Sequence, residues 1–485
     1  MSKIIRVLLA SSEAVPFAKT GGLADVAGSL PMAIDKNEFD IRVIMPKYAS
    51  IPQEYVDRMK FIKHINVPLA WRNKYCGIFE LQHERIFFYF IDNEFYFGGN
   101  QLYSYIHEDI EKFAFFSKAV LSALPHIGFS PDIIHCNDWQ TSLIPVMLKT
   151  LFSNNGFYSS IKTILTIHNL KFQGIWGLKE TQDATGLPEE CFSPDKLEFY
   201  GDANLLKGGI IYSDHITTVS ETYMHEIQTP EFGERLDGLL RARRNVLSGI
   251  INGISYAEYN PSTDKYIYAK YNRRDFPSRK KENKIALQRE LNLHPDKNIF
   301  LIGIVSRLTS QKGIDLIASI MDRLCNIDMQ LIVLGTGEQH YEDMFRFYAN
   351  NNPDKVSANI YFSDDLAHKI YAASDVFLMP SLFEPCGLSQ LISMRYGTLP
   401  IVRETGGLND TVLPYNKYTG EGTGFSFRNY HSEELWDTIN LAKKVFTNRK
   451  DWNSIVRQAM AKNYSWEKSA QHYAKLYKNL INKQI

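Results

Sequence analysis

The string Thr-Gly-Gly-Leu-x-Asp occurs twice in this chain, once near each end. The first copy spans Thr20–Asp25 and the second spans Thr405–Asp410. Each follows a short apolar run typical of a buried strand, Ile4–Ala10 for the first and Leu399–Val402 for the second. Glycine lets the backbone approach a ligand closely, and the free N–H groups at a helix N-terminus favour negative charge. The repeat therefore predicts two strand–turn–helix units with anion-binding turns, which we interpret as two facing half-sites.

Short apolar runs rich in β-branched residues alternate with helical patterns in both halves of the chain. The runs are Ile41–Met45, Phe87–Ile91, Ile133–His135, Thr163–Ile167 and His215–Val219 in the first half, and Ile299–Val305, Gln330–Leu334, Val376–Met379 and Leu399–Val402 in the second. Such alternation is typical of parallel sheets with helices on both faces. The predicted fold class is α/β, with two doubly wound domains.

The alternation loosens after Asn252-Gly253-Ile254, and we place the domain joint there. We predict an N-terminal domain over 1–253, a C-terminal domain over 254–465 and a final helix over 466–485. The final helix carries Tyr473, Leu476 and Tyr477 on one face. It could pack on either domain, and we assign it to the N-terminal one.

The charge balance argues against two classes of partner. Basic and acidic residues are equal in number, 54 of each, so the formal net charge is zero. Nothing electrostatic therefore favours nucleic acid or an anionic membrane as the main partner. The basic stretch Arg273–Lys284 beyond the joint is interpreted as a solvated linker and helix face.

The expected location is the cytoplasm. The five cysteines form no Cys-x-x-Cys pair and are odd in number, which indicates reduced thiols. The apolar run near the N-terminus stops at Ser11-Ser12-Glu13, far short of a signal-peptide core or a membrane span.

Cations stand beside the predicted turns. Lys19 directly precedes the first turn, and Arg307 and Lys312 follow the strand that ends at Val305. Ligands of open α/β sheets bind at such carboxyl ends. Two charge-assisted contacts of about 1.5–3 kcal/mol each would stabilise the charge that grows on a departing diphosphate. The alternative is a set of solvated surface cations, and the matched second turn makes that interpretation weaker.

Further polar residues follow other strands at the same edge. Glu384 lies just past a buried strand, where it could accept sugar hydroxyls or simply answer a helix dipole. His168 and Asn169 end one strand, and Asn137 and Asp138 follow another. Alone, such residues are often a core histidine or a helix cap. Their shared edge favours a site.

Other nucleotide and metal motifs are missing from the sequence. Gly335-Thr336-Gly337 lacks the third glycine of a dinucleotide fingerprint, because His340 takes its place. No Gly-x4-Gly-Lys-Ser/Thr loop and no Asp-x-Asp pair occurs. We therefore expect no metal, and expect lysine and arginine to stabilise the charge.

Five blocks of residues resemble the signatures of the bacterial glycogen synthases and plant starch synthases. The blocks are Lys19–Val26, Thr166–Leu170, Ser306–Gly313, Phe383–Gln390 and Arg403–Leu408. These enzymes are retaining glycosyltransferases of the GT-B architecture, in which two Rossmann-like domains face a deep interdomain cleft. The blocks match in order and spacing across nearly the whole chain, so the resemblance is specific.

The resemblance implies transfer of glucose from ADP-glucose to the non-reducing end of an α-1,4-glucan. It implies retention of configuration and no cofactor, with ADP-glucose as donor substrate and glycogen or a starch-like glucan as acceptor partner. The implied catalytic residues are His168, Arg307, Lys312 and Glu384. The implied substrate-binding residues are Lys19, Gly21, Gly22, Asp25, Asp138, Asn169, Asn252, Phe362, Thr405, Gly406 and Gly407, with Tyr96 and Tyr105 from an aromatic loop near the acceptor.

Individual roles follow from the same resemblance. Lys19, Arg307 and Lys312 hold the diphosphate, and Glu384 binds the donor sugar. The backbone carbonyl of His168 faces the developing oxocarbenium ion, and Phe362 stacks on adenine.

The chain departs from the family pattern at two places, and a third position differs only from other retaining GT-B enzymes. The family's Asn-Gly-Ile-Asp ends in Ser255 here, and its His-Asp-Trp-His appears as Asn137-Asp138-Trp139-Gln140. The second glutamate of other retaining GT-B enzymes is replaced by Ile392, as it is in glycogen synthases. Two alternatives remain open: a GT-B transferase using UDP-glucose or another acceptor, and a catalytically silent glucan-binding protein. Retention of Lys19, Arg307, Lys312 and Glu384 argues against silence.

Overall fold

The structure is a computed structural model that describes residues 3–482. It divides into two compact units, one joining the chain up to Asn252 with the residues from Trp466, the other spanning Gly253–Ser465. Each unit has its own hydrophobic core.

The first unit is built on a nine-stranded sheet and a small three-stranded sheet. Its strands are β1 (Ile5–Ala10), β2 (Phe39–Pro46), β3 (Lys60–Leu69), β4 (Arg72–His83), β5 (Ile86–Asp92), β6 (Ile133–Asn137), β7 (Lys162–Ile167), β8 (Ile175–Gly177), β9 (Glu198–Phe199), β10 (Asp202–Asn204), β11 (His215–Thr218) and β12 (Leu247–Gly249). Its helices within this part of the chain are α1 (Gly22–Ala33), α2 (Gln53–Val56), α3 (Glu94–Phe97), α4 (Ile106–Ala123), α5 (Leu143–Thr150), α6 (Leu178–Thr185), α7 (Leu205–Tyr212), α8 (Glu221–Glu226) and α9 (Asp237–Ala242).

The large sheet has the strand order β12-β11-β7-β6-β1-β2-β5-β4-β3. Neighbours from β12 to β5 are parallel, whereas β5, β4 and β3 are antiparallel. Val7–Ala10 of the central strand β1 is a continuous apolar run and is fully buried, as expected for a strand covered on both faces. β5 was predicted, as the run Phe87–Ile91, whereas β3 and β4 were not. β3 is an edge strand whose outward residues, such as Lys60 and Lys63, weaken the apolar alternation.

The second unit is built on one parallel sheet. Its strands are β13 (Phe300–Val305), β14 (Met329–Leu334), β15 (Val356–Asn359), β16 (Val376–Met379), β17 (Leu399–Arg403) and β18 (Phe425–Phe427), in the order β15-β14-β13-β16-β17-β18. Its helices are α10 (Phe276–Glu290), α11 (Ile314–Ala318), α12 (Met321–Cys325), α13 (Gln339–Asn351), α14 (Asp364–Ala373), α15 (Ser389–Arg395), α16 (Gly406–Thr411), α17 (Ser432–Thr447) and α18 (Arg449–Ala461). Local chemistry sets their ends: the Ser363 side chain caps α14 by accepting from the Leu366 N–H.

The last helix, α19 (Trp466–Asn482), belongs to the first unit. Its Tyr473 and Tyr477 are fully buried in the core of that unit. The Tyr477 hydroxyl bonds Nδ1 of the buried His135 on β6 at 2.8 Å, and Lys478 pairs with Glu38 at 2.7 Å. The predicted face of α19 therefore packs this helix onto the first unit.

The prediction that the basic stretch Arg273–Lys284 is solvated was wrong for two of its residues. Lys280 is 9% exposed and Lys284 is 2% exposed, although neighbours such as Arg279 face solvent. Both lysines turn inward from α10 because backbone carbonyls and one carboxylate satisfy their ammonium groups.

Candidate active site

Both large sheets change direction beside their first strand. In the first unit β1 lies between β2 and β6, and in the second unit β13 lies between β14 and β16. Loops that leave the carboxyl ends of strands at such a reversal form the ligand-binding crevice of open α/β sheets. The predicted site residues follow strands of these two sheets.

The first glycine turn opens α1. Gly21 is the cap residue, and among residues 3–482 no side chain accepts a capping hydrogen bond from the first turn of the helix. The Lys19 ammonium lies 2.8 Å from a carboxylate oxygen of Asp25 within α1. This places Lys19, Gly21, Gly22 and Asp25 together, with a cation beside the N-terminus of α1.

The buried carboxylate of Glu13 supports this turn through hydrogen bonds from Thr20. Glu13 is 2% exposed, and its Oε2 accepts from the Thr20 hydroxyl at 2.8 Å and from the Thr20 N–H at 2.5 Å. Burial raises the pKa of Glu13 despite the lowering effect of these hydrogen bonds. From the sequence, Ser11-Ser12-Glu13 was predicted only to end an apolar run. Its position directly after β1 was the signal for this role.

The His168 side chain is held by an amide that is itself fixed. Asn137 donates from Nδ2 to the Ala10 carbonyl at 3.0 Å, which turns its Oδ1 toward Nε2 of His168 at 2.9 Å. The amide oxygen can only accept, so Nε2 carries the proton and Nδ1 is an acceptor. Desolvation lowers the pKa of His168 to about 3, so the ring is neutral.

Asp138 occupies a backbone conformation rare for a residue with a side chain. Its φ is +55°, and its carboxylate accepts from the His168 N–H at 2.7 Å. Desolvation raises the pKa of Asp138 to about 7, against the lowering effect of the His168 and Asn169 N–H groups, and nearby Glu13 adds to the rise. Perturbed carboxylates and strained backbone concentrate at functional sites. The structure thus joins Asp138, His168 and Asn169 into one network.

The aromatic loop residues separate into different environments. Tyr96 donates to Glu111 at 2.5 Å and stacks on Phe115, so its ring packs within the domain. Tyr105 is 74% exposed and lies just before α4. Tyr103 lies on the same loop, and its hydroxyl is 2.8 Å from that of Ser12, which follows β1.

The second glycine turn is packed against the Glu384 loop. The Gly407 N–H donates to the Glu384 carbonyl at 3.0 Å. A Cβ at Gly406, whose φ is +45°, would lie 2.0 Å from the same carbonyl oxygen. Glycine is therefore required here by close backbone approach and by left-handed conformation together. Thr405 is buried and precedes α16, so Thr405, Gly406, Gly407 and Glu384 form one cluster.

Lys312 meets Glu384 in this cluster. The Lys312 ammonium lies 2.6 Å from Oε2 of Glu384, which also accepts from the Ser381 hydroxyl at 3.1 Å. Gly313, with φ +74°, lets the loop after β13 pack on the Pro380 carbonyl. Arg307 follows the same strand and is exposed. The predicted donor-side cations and acid therefore follow the carboxyl ends of β13 and β16.

Arg403 is a supporting residue for which no role was predicted beyond its place in the block Arg403–Leu408. Its Nε donates to the Ser381 carbonyl at 2.9 Å, and its Nη2 donates to the Leu382 carbonyl. The guanidinium is 8% exposed, so it fixes the loop that carries Glu384. Its place at the end of β17, directly before the second glycine turn, was the available signal.

The remaining predicted residues stand apart from these clusters. Phe362 is 85% exposed between β15 and α14. Asn252 is 5% exposed, and its Oδ1 has no hydrogen-bond partner among residues 3–482. Oε1 of Gln140 is also buried and likewise has no hydrogen-bond partner in the described part of the chain. Ser255 caps a local turn through the Glu258 N–H at 3.3 Å.

Within residues 3–482, no group of three or more histidine, cysteine, aspartate or glutamate side chains is arranged to hold a metal ion. In the same part of the chain, no helix has the length and apolar character needed to cross a bilayer.

Comparison with known families gives two matches along the chain. The starch synthase catalytic domain matches residues 6–242, and glycosyl transferases group 1 match residues 283–459. The chain is 64% identical to the glycogen synthase of Lachnospira eligens, covering 98% of this chain and 99% of the relative. It is 58% identical to that of Lachnoclostridium phytofermentans, covering 98% and 100%.

Solved structures agree with these relatives. The catalytic domain of starch synthase IV from Arabidopsis thaliana, bound to ADP and acarbose, has a TM-score of 0.91 at 32% identity, covering 99% of this chain and 100% of that one. Sucrose-phosphate synthase from Thermosynechococcus elongatus, at 17% identity and a TM-score of 0.62 over 99% and 100% of the two chains, shares the fold alone. These findings confirm the resemblance inferred from the five blocks. The chain belongs to the family of glycogen synthases and starch synthases, glycosyltransferases of the GT-B fold.

Proposed function

We propose that the chain elongates an α-1,4-glucan by moving glucose from ADP-glucose to the non-reducing end, with retention of configuration and release of ADP. Relatives named glycogen synthase and a starch synthase bound to ADP support this assignment. The observation that carries it is the Lys312–Glu384 pair beside the second glycine turn. The pair offers a cation to a diphosphate and a carboxylate to a sugar on one loop cluster.

The donor-side roles follow from the atoms available. An ammonium has three donors, and one is directed at Glu384, which leaves two of those of Lys312 for phosphate oxygens. The contacts of Glu384 involve Oε2, so we assign its Oε1 to donor-sugar hydroxyls. Arg307 and Lys19 supply further charge, and the turn at Gly406 and Gly407 lies beside phosphate or glucose. Such preplaced charge stabilises the ADP leaving group most as the glycosidic bond breaks.

His168 is suited to a cationic transition state because its ring is neutral. A protonated imidazole would repel an oxocarbenium-like glucose, whereas the low pKa of His168 removes that charge. Its Nδ1 can accept a hydrogen bond from a glucose hydroxyl, and its backbone carbonyl would face the developing positive charge. Asp25 and Asp138 are assigned to the acceptor side.

The proposal includes no cofactor or metal, and the partners are ADP-glucose and glycogen or a starch-like glucan. Neither nucleic acid nor membrane takes part, and the protein acts in the cytoplasm. Phe362 is assigned to the adenine ring, since its exposed face is free to stack.

Nucleotide release on the purified chain tests the proposal. ADP-glucose and UDP-glucose are supplied in parallel, with and without glycogen, and each arm is repeated with EDTA. We expect glycogen-dependent ADP release with new α-1,4 linkages, unchanged by EDTA. A preference for UDP-glucose would establish the alternative donor, and retained glycogen binding without turnover would establish a silent binding protein.

Two lysine variants control the assay. Lys312→Gln should lower turnover by orders of magnitude, because it removes charge from the departing diphosphate. Lys417→Gln, at an exposed position of the same unit, should leave turnover unchanged.

A further inference from the structure

The unit Gly253–Ser465 contains a cavity of about 130 Å³ at the sheet edge opposite the glycine turn. Lys297 precedes β13, Asp375 precedes β16 and Gly397 precedes β17, and all three line the cavity. The donor-side residues follow the carboxyl ends of the same strands. Because the strands are parallel, the cavity lies at their amino ends and is separate from the candidate active site.

The lining of this cavity is strongly basic. Lys280, Lys281, Lys284, Lys297 and Arg449 face one carboxylate, that of Asp375. That carboxylate is already engaged, since its Oδ2 accepts from Lys284 at 2.5 Å and from the Leu301 N–H at 2.8 Å. The other four cations therefore have no carboxylate in the lining to neutralise them.

Lys280, one of these cations, is bound by neutral groups. Its ammonium donates to the carbonyls of Ala372 at 2.8 Å and Tyr396 at 3.1 Å and to the Thr398 hydroxyl at 2.8 Å. These partners are dipoles rather than charges. Burial lowers the pKa of Lys280 to about 7, only partly opposed by Asp375. An anion in the cavity would favour the protonated form.

The size of the cavity limits the occupant. A water molecule needs about 10–15 Å³ of such volume, whereas cavities for drug-sized ligands begin at roughly 300 Å³. The space therefore suits a small polyatomic anion with some of its water. The mouth carries the exposed Lys297 and the half-buried Lys281, so an attached sugar could extend outward.

We propose that this cavity is a second anion site, which binds the phosphate group of a small ligand, either inorganic phosphate or a phosphorylated sugar. Each cation contact to phosphate is charge-assisted and directional. Lys281 and Lys297 can be changed without disturbing the core, because neither is buried.

Calorimetric titration of the full chain with inorganic phosphate, at constant ionic strength, tests the proposal. The matched variants are Lys281→Gln/Lys297→Gln at the cavity, Lys312→Gln at the candidate active site, and Lys450→Gln beside Arg449 but outside the lining. We expect the cavity variant to weaken binding about tenfold or more. The Lys312→Gln and Lys450→Gln chains should keep this binding.

Three results would overturn the proposal. One is no phosphate binding beyond that of chloride, and another is equal binding by the cavity variant. The third is phosphate binding that only Lys312→Gln abolishes, because the ligand would then sit at the active site. A parallel titration with ribose 5-phosphate distinguishes the two sources: tighter binding than phosphate indicates a phosphorylated sugar, and equal or weaker binding indicates free phosphate.

Discussion

The ammonium of Lys312 lies 2.6 Å from the carboxylate of Glu384, although 72 residues separate them in the chain. Their side chains are 18% and 8% exposed, so both charges are largely removed from water. Each needs the other, because an unpaired charge in such a place is costly. The pair therefore links the stability of the second unit to the charges that the proposed reaction uses.

Removing only the cation of this pair should lower both the stability of the second unit and the turnover. In Lys312→Met the Glu384 carboxylate keeps the hydrogen bond from the Ser381 hydroxyl but loses its cation, and we expect a loss of about 3 kcal/mol in the free energy of unfolding. Turnover should fall by at least about a hundredfold. The double variant Lys312→Met/Glu384→Gln should recover most of the stability but none of the turnover. Urea denaturation of the three chains measures this, and a double variant no more stable than Lys312→Met would show that the charges are not coupled.

The two glycine turns should respond differently to alanine. At Gly21 the backbone is extended, and a Cβ would meet only Oε1 of Glu13 at 4.0 Å. At Gly406 it would meet the Glu384 carbonyl at 2.0 Å. We expect Gly21→Ala to keep the melting temperature and raise KM, and Gly406→Ala to lower the melting temperature clearly. Equal melting temperatures for both variants would refute the close packing at Gly406.

Stability should depend on pH through Asp138. Its pKa is raised from 3.8 to about 7 in the folded state, so the folded chain binds more protons than the unfolded chain in that window. Stability from this group is present at low pH and is lost as pH rises through about 7. Asp138→Asn removes the dependence, so its stability relative to the parent should rise by up to roughly 1.4 kcal/mol per pH unit between about 4 and 7. Denaturation at several pH values measures it, with the exposed Asp202→Asn expected to show no such trend.

The contact between α19 and β6 should be worth more in packing than in hydrogen bonding. Tyr477→Phe removes the bond to His135 and should cost about 1 kcal/mol, because the ring stays in place. Tyr477→Ala empties a fully buried position and should cost about 3–5 kcal/mol. Denaturant titration separates the two. Tyr418→Ala, at a residue 85% exposed, should change stability by less than about 0.5 kcal/mol.

The parallel strands were predictable because burial on both faces demands continuous apolar runs, as in Val7–Ala10. The β3–β4 hairpin was missed because an edge strand carries polar residues outward. The burial of Lys280 was missed for another reason. Its acceptors Ala372 and Tyr396 lie 92 and 116 residues away along the chain, and no local pattern reports such carbonyls.

The glycine turns and the cations beside them could be predicted from the sequence. A glycine turn next to a lysine at the end of a strand is a specific pattern, typical of an anion-binding site. The supports of these turns were not visible. Glu13 and Arg403 act on backbone N–H and carbonyl groups, which every residue carries, so residue type alone gives no sign of the contact. Tyr103 reaches Ser12 through an irregular loop whose path only tertiary packing determines.

Because the last helix, α19, belongs to the first unit, it determines the order in which the two units can finish folding during synthesis. The unit that begins the chain lacks Tyr473 and Tyr477 until the whole of Gly253–Ser465 has left the ribosome. At about 5–20 residues per second this delay is on the order of tens of seconds, during which His135 lacks its hydrogen bond to Tyr477. In proteolysis of stalled nascent chains, the unit Gly253–Ser465 should therefore become protected before the first unit. The half of the protein that is made first is the half that finishes folding last.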